Sequence, residues 1–255
     1  MQMYENRFKR GLAEGRAQIG LWSSLANPVS IEVLADTGFD WILVDTEHAP
    51  SDLPQVHAQL QALARGGASP IVRPAWNDAV MIKRLLDIGA QSLLIPFVEN
   101  AEEARRAVAA TRYPPAGIRG VSVATRANGF GRIRDYFARA EEELCVLVQV
   151  ETSRAVAAIP EIAAVPGVDG IFIGPSDLAA DLGHLGQSGH PQVMDVISAG
   201  IAAIRAAGKA AGILAPQEDH ARRWLAEGCG FVAVGSDLGL LARGSEALLA
   251  RFRPD

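Results

Sequence analysis

Eight short apolar runs, separated by helix-like segments, restrict what this chain can fold into more than any other feature. They span residues 19–22, 41–45, 70–73, 92–96, 146–151, 170–174, 211–214 and 231–235. Within each run the hydrophobicity is continuous rather than alternating, as in parallel strands buried on both faces. Helix punctuation lies between them. Asn77-Asp78 precedes the apolar positions Val80, Met81, Leu85 and Ile88 and is followed by Gly89, and Asn27-Pro28 opens a segment expected to stay helical as far as Gly38. Eight strand–helix units close into a (β/α)8 barrel more readily than they form an open sheet. A flavodoxin-like or Rossmann sheet is the second choice. It lacks support, because no G-x-G-x-x-G follows the first strand and Gly129-Phe130-Gly131 has no strand before it.

A length of 255 residues suits one such barrel, so residues 1–255 read as a single domain. The 49% of hydrophobic residues include only 6% aromatics, which leaves a core of Ala, Val, Leu and Ile. Lys and Arg number 24 against 29 Asp and Glu, and no basic run appears, so a nucleic-acid surface is not expected. Neither a signal-peptide core nor an apolar stretch of membrane-spanning length is present, and a cytoplasmic enzyme is the expectation. Cys145 and Cys229 form no C-x-x-C pair and read as small buried hydrophobes. One connection, residues 113–131, is long, polar and rich in Arg and Gly; it is a candidate lid.

In a barrel of this kind the chemistry sits at the carboxyl ends of the strands, and polar residues gather there. Trp22-Ser23, Asp45-Thr46-Glu47-His48, Arg73, Gln149-Val150-Glu151, Gly174-Pro175-Ser176-Asp177 and Gly235-Ser236-Asp237 all follow or end apolar runs. Glu151 and Asp177 come from neighbouring strands, so their carboxylates can converge as hard oxygen ligands for Mg²⁺ or Mn²⁺; by position alone each could equally cap the helix that follows. Of the five histidines, His48 alone lies directly after a strand among acids, and it is the candidate general base. His57, His184, His190 and His220 fall on helices or in a Gly-rich connection and read as structural. A guanidinium ending an apolar run, as Arg73 does, calls for an anion or a carbonyl oxygen beside it. The only lysines, Lys9, Lys83 and Lys209, fall before the barrel, on a helix and at the amino end of the seventh strand. A Schiff-base route is thereby disfavoured against a metal-stabilised enolate. Trp22, Phe172 and Leu214 are placed to form a mostly apolar rim.

These motifs resemble the class II pyruvate aldolases, the hydroxy ketoacid aldolases typified by 4-hydroxy-2-oxoheptanedioate and 2-dehydro-3-deoxyglucarate aldolases. The resemblance rests on Asp45-Thr46-Glu47-His48, Arg73-Pro74, Tyr113-Pro114-Pro115 with Gly117 and Arg119-Gly120, Gln149-Val150-Glu151-Thr152 and Gly174-Pro175-Ser176-Asp177-Leu178, and it runs nearly end to end. It implies a divalent cation (Mg²⁺, Mn²⁺ or Co²⁺) on Glu151 and Asp177, chelated by a 2-oxo acid such as pyruvate. Arg73 is then the enolate stabiliser and Gln149 holds the pyruvyl unit. Gly174, Pro175 and Ser176, with Trp22 and Leu214, complete the substrate site, and His48 handles the proton of the 4-hydroxyl. An aspartate supplied across a subunit interface orients that histidine; Asp87 matches it, with Asp45 a nearer second partner. The resemblance further implies a homo-hexamer assembled from dimers, with an aldehyde as co-substrate. Two rivals stand beside it: a citramalyl- or malyl-CoA-type lyase, and a non-catalytic metabolite-binding barrel.

Overall fold

The computed structural model describes residues 1–253. Eight parallel strands close in sequence order into a barrel: β1 (Gln18–Ser23), β2 (Trp41–Asp45), β3 (Ser69–Arg73), β4 (Ser92–Ile95), β5 (Cys145–Val150), β6 (Gly170–Ile173), β7 (Ala210–Leu214) and β8 (Phe231–Ser236). Every strand lies within a residue of the apolar run that announced it. The two faces of each strand separate cleanly. Ile42, Val44, Val72, Val146, Val148, Val150, Ile171, Ile173 and Val232 pack outward into the layer beneath the helices. Trp22, Trp41, Leu43, Ile71, Leu147, Phe172 and Phe231 fill the lumen.

At the amino end the lumen is sealed. The helix Arg7–Ala13, capped by Asn6 Oδ1 accepting from Lys9 N at 3.0 Å, sets the fully buried Phe8 edge-on against Phe231 (5.6 Å) and Trp41 (6.0 Å). Two glycines make room for these rings. A Cβ on Gly20 would lie 2.1 Å from the Trp41 indole, and one on Gly212 would lie 2.2 Å from Phe231.

Three expectations change. The helix opened by Asn27 spans Pro28–Leu34 with its C-cap at Ala35, so it stops short of Gly38, whose φ of +98° serves the turn beyond. In the helix Ala79–Asp87, capped by Asp78, the buried residues are Ile82, Leu85 and Leu86, while Val80 and Met81 face out. The segment 113–131 is not a lid on its own site. It follows the helix Ala101–Thr111 and leads into β5, which makes it a helix-to-strand connection on the amino side of the barrel. There Arg126 donates to the Ile88 and Leu60 carbonyls. The last helix, Asp237–Ala250, buries only Asp237; Leu238, Leu240, Leu241, Leu248 and Leu249 all stand more than half exposed (51–61%).

Overpacking a close-packed interior costs about 1–3 kcal/mol, and each kcal/mol moves Tm by roughly 2–4 °C in a domain of this size. Gly20→Ala is therefore expected to lower Tm by about 5 °C or more. Thermal unfolding followed by circular dichroism checks it, and an unchanged Tm would contradict the lumen packing described.

Candidate active site

Side chains on a strand alternate between faces, so each strand that puts Trp41, Ile71 or Leu147 into the lumen puts a later residue of the same parity there too. On β2 the lumen series 41, 43 ends at Asp45; on β3 it ends at Arg73; on β5 it passes through Gln149 and reaches Glu151. All four polar residues are buried. The carboxyl mouth is thus a polar layer on an otherwise apolar column.

Arg73 is its centre. Its Nε and Nη2 donate to the two oxygens of Asp45 at 2.9 and 2.7 Å, and its Nη1 lies 2.8 Å from Glu47 Oε2. The guanidinium stands 5.0 Å from the centre of the Trp22 indole, whose Nε1 donates to Asp45 Oδ2 at 3.3 Å. Burial pushes the Asp45 carboxyl upward, but the Arg73 hydrogen bonds and charge outweigh it and hold Asp45 below the usual carboxylate range. For Glu47 burial wins over Arg73, and its pKa rises. Glu151 is moved furthest: burial first, then the charges of Glu47 and Asp177, push it from 4.5 to about 8.

The helix-cap explanation of the two expected ligands does not account for them. Thr152, not Glu151, caps the helix Ser153–Ala157 by accepting from Ala155 N at 3.1 Å. The helix Pro175–Asp181 begins at Gly174 without a side-chain cap, and Asp177 sits inside its first turn. Gly174 itself is required: a Cβ there would lie 2.7 Å from Glu151 Oε1 and 3.0 Å from Gln149 Nε2. Gln149 Nε2 donates to Glu151, while Gln149 Oε1 is buried with no hydrogen-bond donor and Glu47 Oε2 has only the Arg73 ion pair. Crowded carboxylates, one held protonated to near neutral pH, together with a buried amide oxygen lacking a donor, fit a divalent cation. Among the described residues no group of three or more His, Cys, Asp or Glu side chains is arranged to hold a metal. Two carboxylate ligands with the remaining positions open to water and substrate agree with that.

A cavity of about 480 Å³ opens over this layer. Trp22, His48, Arg73, Gln149, Phe172, Gly174, Pro175, Ser176, Asp177 and Leu214 line it, and it continues to Ser188, Gln217 and His220. His48 is 67% exposed, and its one charged neighbour is Glu47, 3.9 Å away. Asp45, expected as the nearer partner of His48, accepts from Arg73 through both oxygens, and among the described residues no hydrogen bond joins it to His48. Asp87 is far from this chain's mouth: it ends the helix Ala79–Asp87 on the amino side and accepts from the buried Arg119 at 3.0 Å. Lys9 and Lys209 are tied to the Leu144 and Val168 carbonyls, each at 2.6 Å, and no lysine lines the cavity. Sequence reasoning gave Glu47 no role and set His220 aside. Glu47 shares the parity of Asp45 two residues on, a signal that was readable. For His220 only the fold places the helix.

A closed parallel barrel with acids, an arginine and a histidine at its carboxyl mouth is suited to acid–base and electrostatic chemistry on small oxygenated acids. The sequence profile of the HpcH/HpaI aldolase/citrate lyase family matches residues 18–244, and the chain belongs to that family. It is similar to a pyruvate aldolase of Rhizobium etli, with 56% identity over 252 residues covering 99% of both chains. It is also similar to a 4-hydroxy-2-oxo-heptane-1,7-dioate aldolase of Klebsiella pneumoniae, with 57% identity covering 97% of this chain and 94% of the relative. A crystal structure of an HpcH/HpaI aldolase/citrate lyase family protein from Burkholderia cenocepacia superposes with a TM-score of 0.94 at 40% identity, over 97% of this chain and 99% of that one. The chain is thus an enzyme, a carbon–carbon lyase of the aldolase kind.

The raised Glu151 gives a stability prediction. A carboxyl whose folded pKa (about 8) exceeds its ordinary value (4.5) takes up a proton on folding. Its ionisation in the fold therefore costs stability progressively as pH climbs from 4.5 to about 8. Under chelating conditions Glu151→Gln is expected to raise Tm, and by more at about pH 8.5 than at about pH 5.5. Equal effects at the two pH values would contradict the crowding.

Proposed function

We propose that the enzyme joins pyruvate, or a related 2-oxo acid, to an aldehyde and cleaves the resulting 4-hydroxy-2-oxo acid through the enolate of pyruvate. The observation that carries this reading is the juxtaposition of Glu151, Asp177 and Glu47 with Arg73 at the barrel mouth, an excess of carboxylate suited to a divalent cation. Glu151 and Asp177 are the residues that would hold it. Bound there, it would supply positive charge to the keto oxygen and carboxylate of the 2-oxo acid. Mg²⁺, Mn²⁺ and Co²⁺ all suit the oxygen donors.

The chain's own groups divide the remaining work. Arg73, fixed by Asp45 and stacked near Trp22, presents a rigid positive charge to the oxygen that becomes anionic, with no reorganisation at the moment of reaction. Gln149, held against Glu151, orients the pyruvyl unit. The first-turn N–H groups of the helix Pro175–Asp181 have no side-chain cap and can receive its carboxylate. Trp22, Phe172 and Leu214 wall the methyl carbon off from water. His48, exposed at the rim beside Glu47, takes the proton from the 4-hydroxyl in cleavage and returns it in addition. Asp87 would act on the histidine of a second copy rather than its own. The uncovered leucines of the helix Asp237–Ala250 support assembly with further copies, for which a homo-hexamer built as a trimer of dimers is the proposed form.

Exchange of the pyruvate methyl protons into D₂O tests the reading without any choice of aldehyde. Metal-treated enzyme is expected to catalyse exchange, EDTA-treated enzyme to lose it, and Glu151→Gln with Asp177→Asn to fall by about 10²-fold or more. Absence of exchange with every metal would reject the enolate route and favour a CoA-thioester substrate. Because protons compete with the cation for Glu151, apparent metal affinity is expected to strengthen from about pH 6 to about pH 8, measurable by calorimetric titration. A flat profile would contradict the assignment of Glu151.

A further inference from the structure

Glu151 sits under a load. The charges of Glu47 and Asp177 both oppose its own, and among the described residues its hydrogen-bond donor is Gln149 Nε2, from the same strand end. A turn carrying such a carboxylate relaxes away from its like-charged neighbours unless the backbone is held. The hold comes from outside the lumen, from residues 96–100 after β4, a segment with no part in the chemistry proposed above.

Phe97 turns this segment at φ +53°, a left-handed conformation disfavoured for a bulky side chain, and its ring stacks on Trp76 with centroids 5.8 Å apart. The next residue, the buried Val98, donates its N–H to the Gln149 carbonyl at 2.9 Å. Glu99 follows, 9% exposed, with both carboxylate oxygens engaged. Its Oε1 accepts from Thr152 Oγ1 at 2.6 Å, and its Oε2 accepts from Arg154 Nε at 2.9 Å and from Arg154 Nη2. The Glu99 N–H donates to Glu103 Oε2 at 2.7 Å, which ties the segment to the first turn of the helix Ala101–Thr111.

Thr152 is the link to the site. Its hydroxyl has one proton, given to Glu99, so the oxygen is left to accept from Ala155 N at 3.1 Å and cap the helix Ser153–Ala157. A carboxylate that fixes this hydroxyl fixes the turn that carries Glu151, one residue back. Arg154, 77% exposed, balances the charge of Glu99 from the solvent side. An ion pair serving stability alone calls for Arg154 but not for the short bond to Thr152.

We propose that Glu99 is a positioning residue for the cation ligand Glu151, acting through the Thr152 hydroxyl. The inference rests on the assignment of Glu151 as a ligand and names what keeps that ligand in place. Removing an outer partner that orients a metal ligand weakens metal binding by about 10–100-fold.

The experiment titrates Mn²⁺ calorimetrically into EDTA-treated, dialysed enzyme and follows thermal unfolding of the same metal-free samples. Glu99→Ala is expected to weaken Mn²⁺ binding about tenfold or more. Glu99→Gln, whose amide oxygen still accepts from Thr152, is expected to recover most of that loss. Thr152→Val is expected to weaken binding as Glu99→Ala does, and the double variant to weaken it no further, because the two side chains act as one unit. A lowered Tm in Glu99→Ala with unchanged Mn²⁺ affinity assigns Glu99 to stability alone and overturns the proposal. Additive losses in the double variant overturn it as well, by excluding the route through Thr152. If the unsubstituted enzyme binds no Mn²⁺, the assignment of Glu151 as a ligand falls and the proposal with it.

Discussion

The carboxyl mouth of this barrel depends on one buried cation. Arg73 contributes +1, and Asp45, Glu47, Glu151 and Asp177 contribute −4 when ionised, which leaves −3 around a mouth where Arg73, Asp45 and Glu151 are buried and Asp177 stands at the exposed rim. Three of its five N–H donors are engaged, two by Asp45 and one by Glu47, so the charge is already divided between two carboxylates. Burial first, and then the charges of Glu47 and Asp177, raise Glu151 to a pKa of about 8. A fold under pressure only to be stable would replace such a cluster with apolar side chains, since buried ion pairs seldom stabilise more than well-packed hydrophobes. A divalent cation would change −3 to −1 and offer the donorless Gln149 Oε1 a positive neighbour or its water.

The barrel makes this arrangement possible by stacking opposite chemistries along the same strands. β2 starts with Trp41, locked between Phe8 and Phe231, and ends with Asp45. The aromatic plug fixes strand positions from below, so polar groups at the top are held by backbone register rather than by their own weak contacts. Gly20 and Gly212 belong to this base as much as the rings do, because they set how closely the strands approach around the plug. Gly174 does the same at the top, where its missing side chain admits Glu151 and Gln149.

Much of this was legible in the sequence because two periodicities are local. Continuous apolar runs marked all eight strands, and polar residues closing those runs marked Asp45, Arg73, Gln149, Glu151 and Asp177. What escaped depended on non-local facts. That Asp45 pairs with Arg73 was not readable locally, since it follows from the register of β2 on β3, which sets the two directly opposite. The long segment 113–131 looked like a lid because length alone was weighed; its place after a helix rather than a strand puts it at the opposite pole. His220 looked like an ordinary helix residue, since nothing local shows that the first turn of its helix meets the cavity.

The two halves of the cavity are built from different materials, and the difference has a functional logic. The donor half comes from side chains on strands β2, β3 and β5 and the turn after β6, where register leaves little freedom. The far half comes from a glycine-bearing connection and a helix start, where Ser188 and His220 are placed by backbone that can accept other side chains without disturbing the barrel. The groups whose geometry must be strict thus sit on the rigid frame, while the rest of the cavity wall is supplied by connections and helix starts.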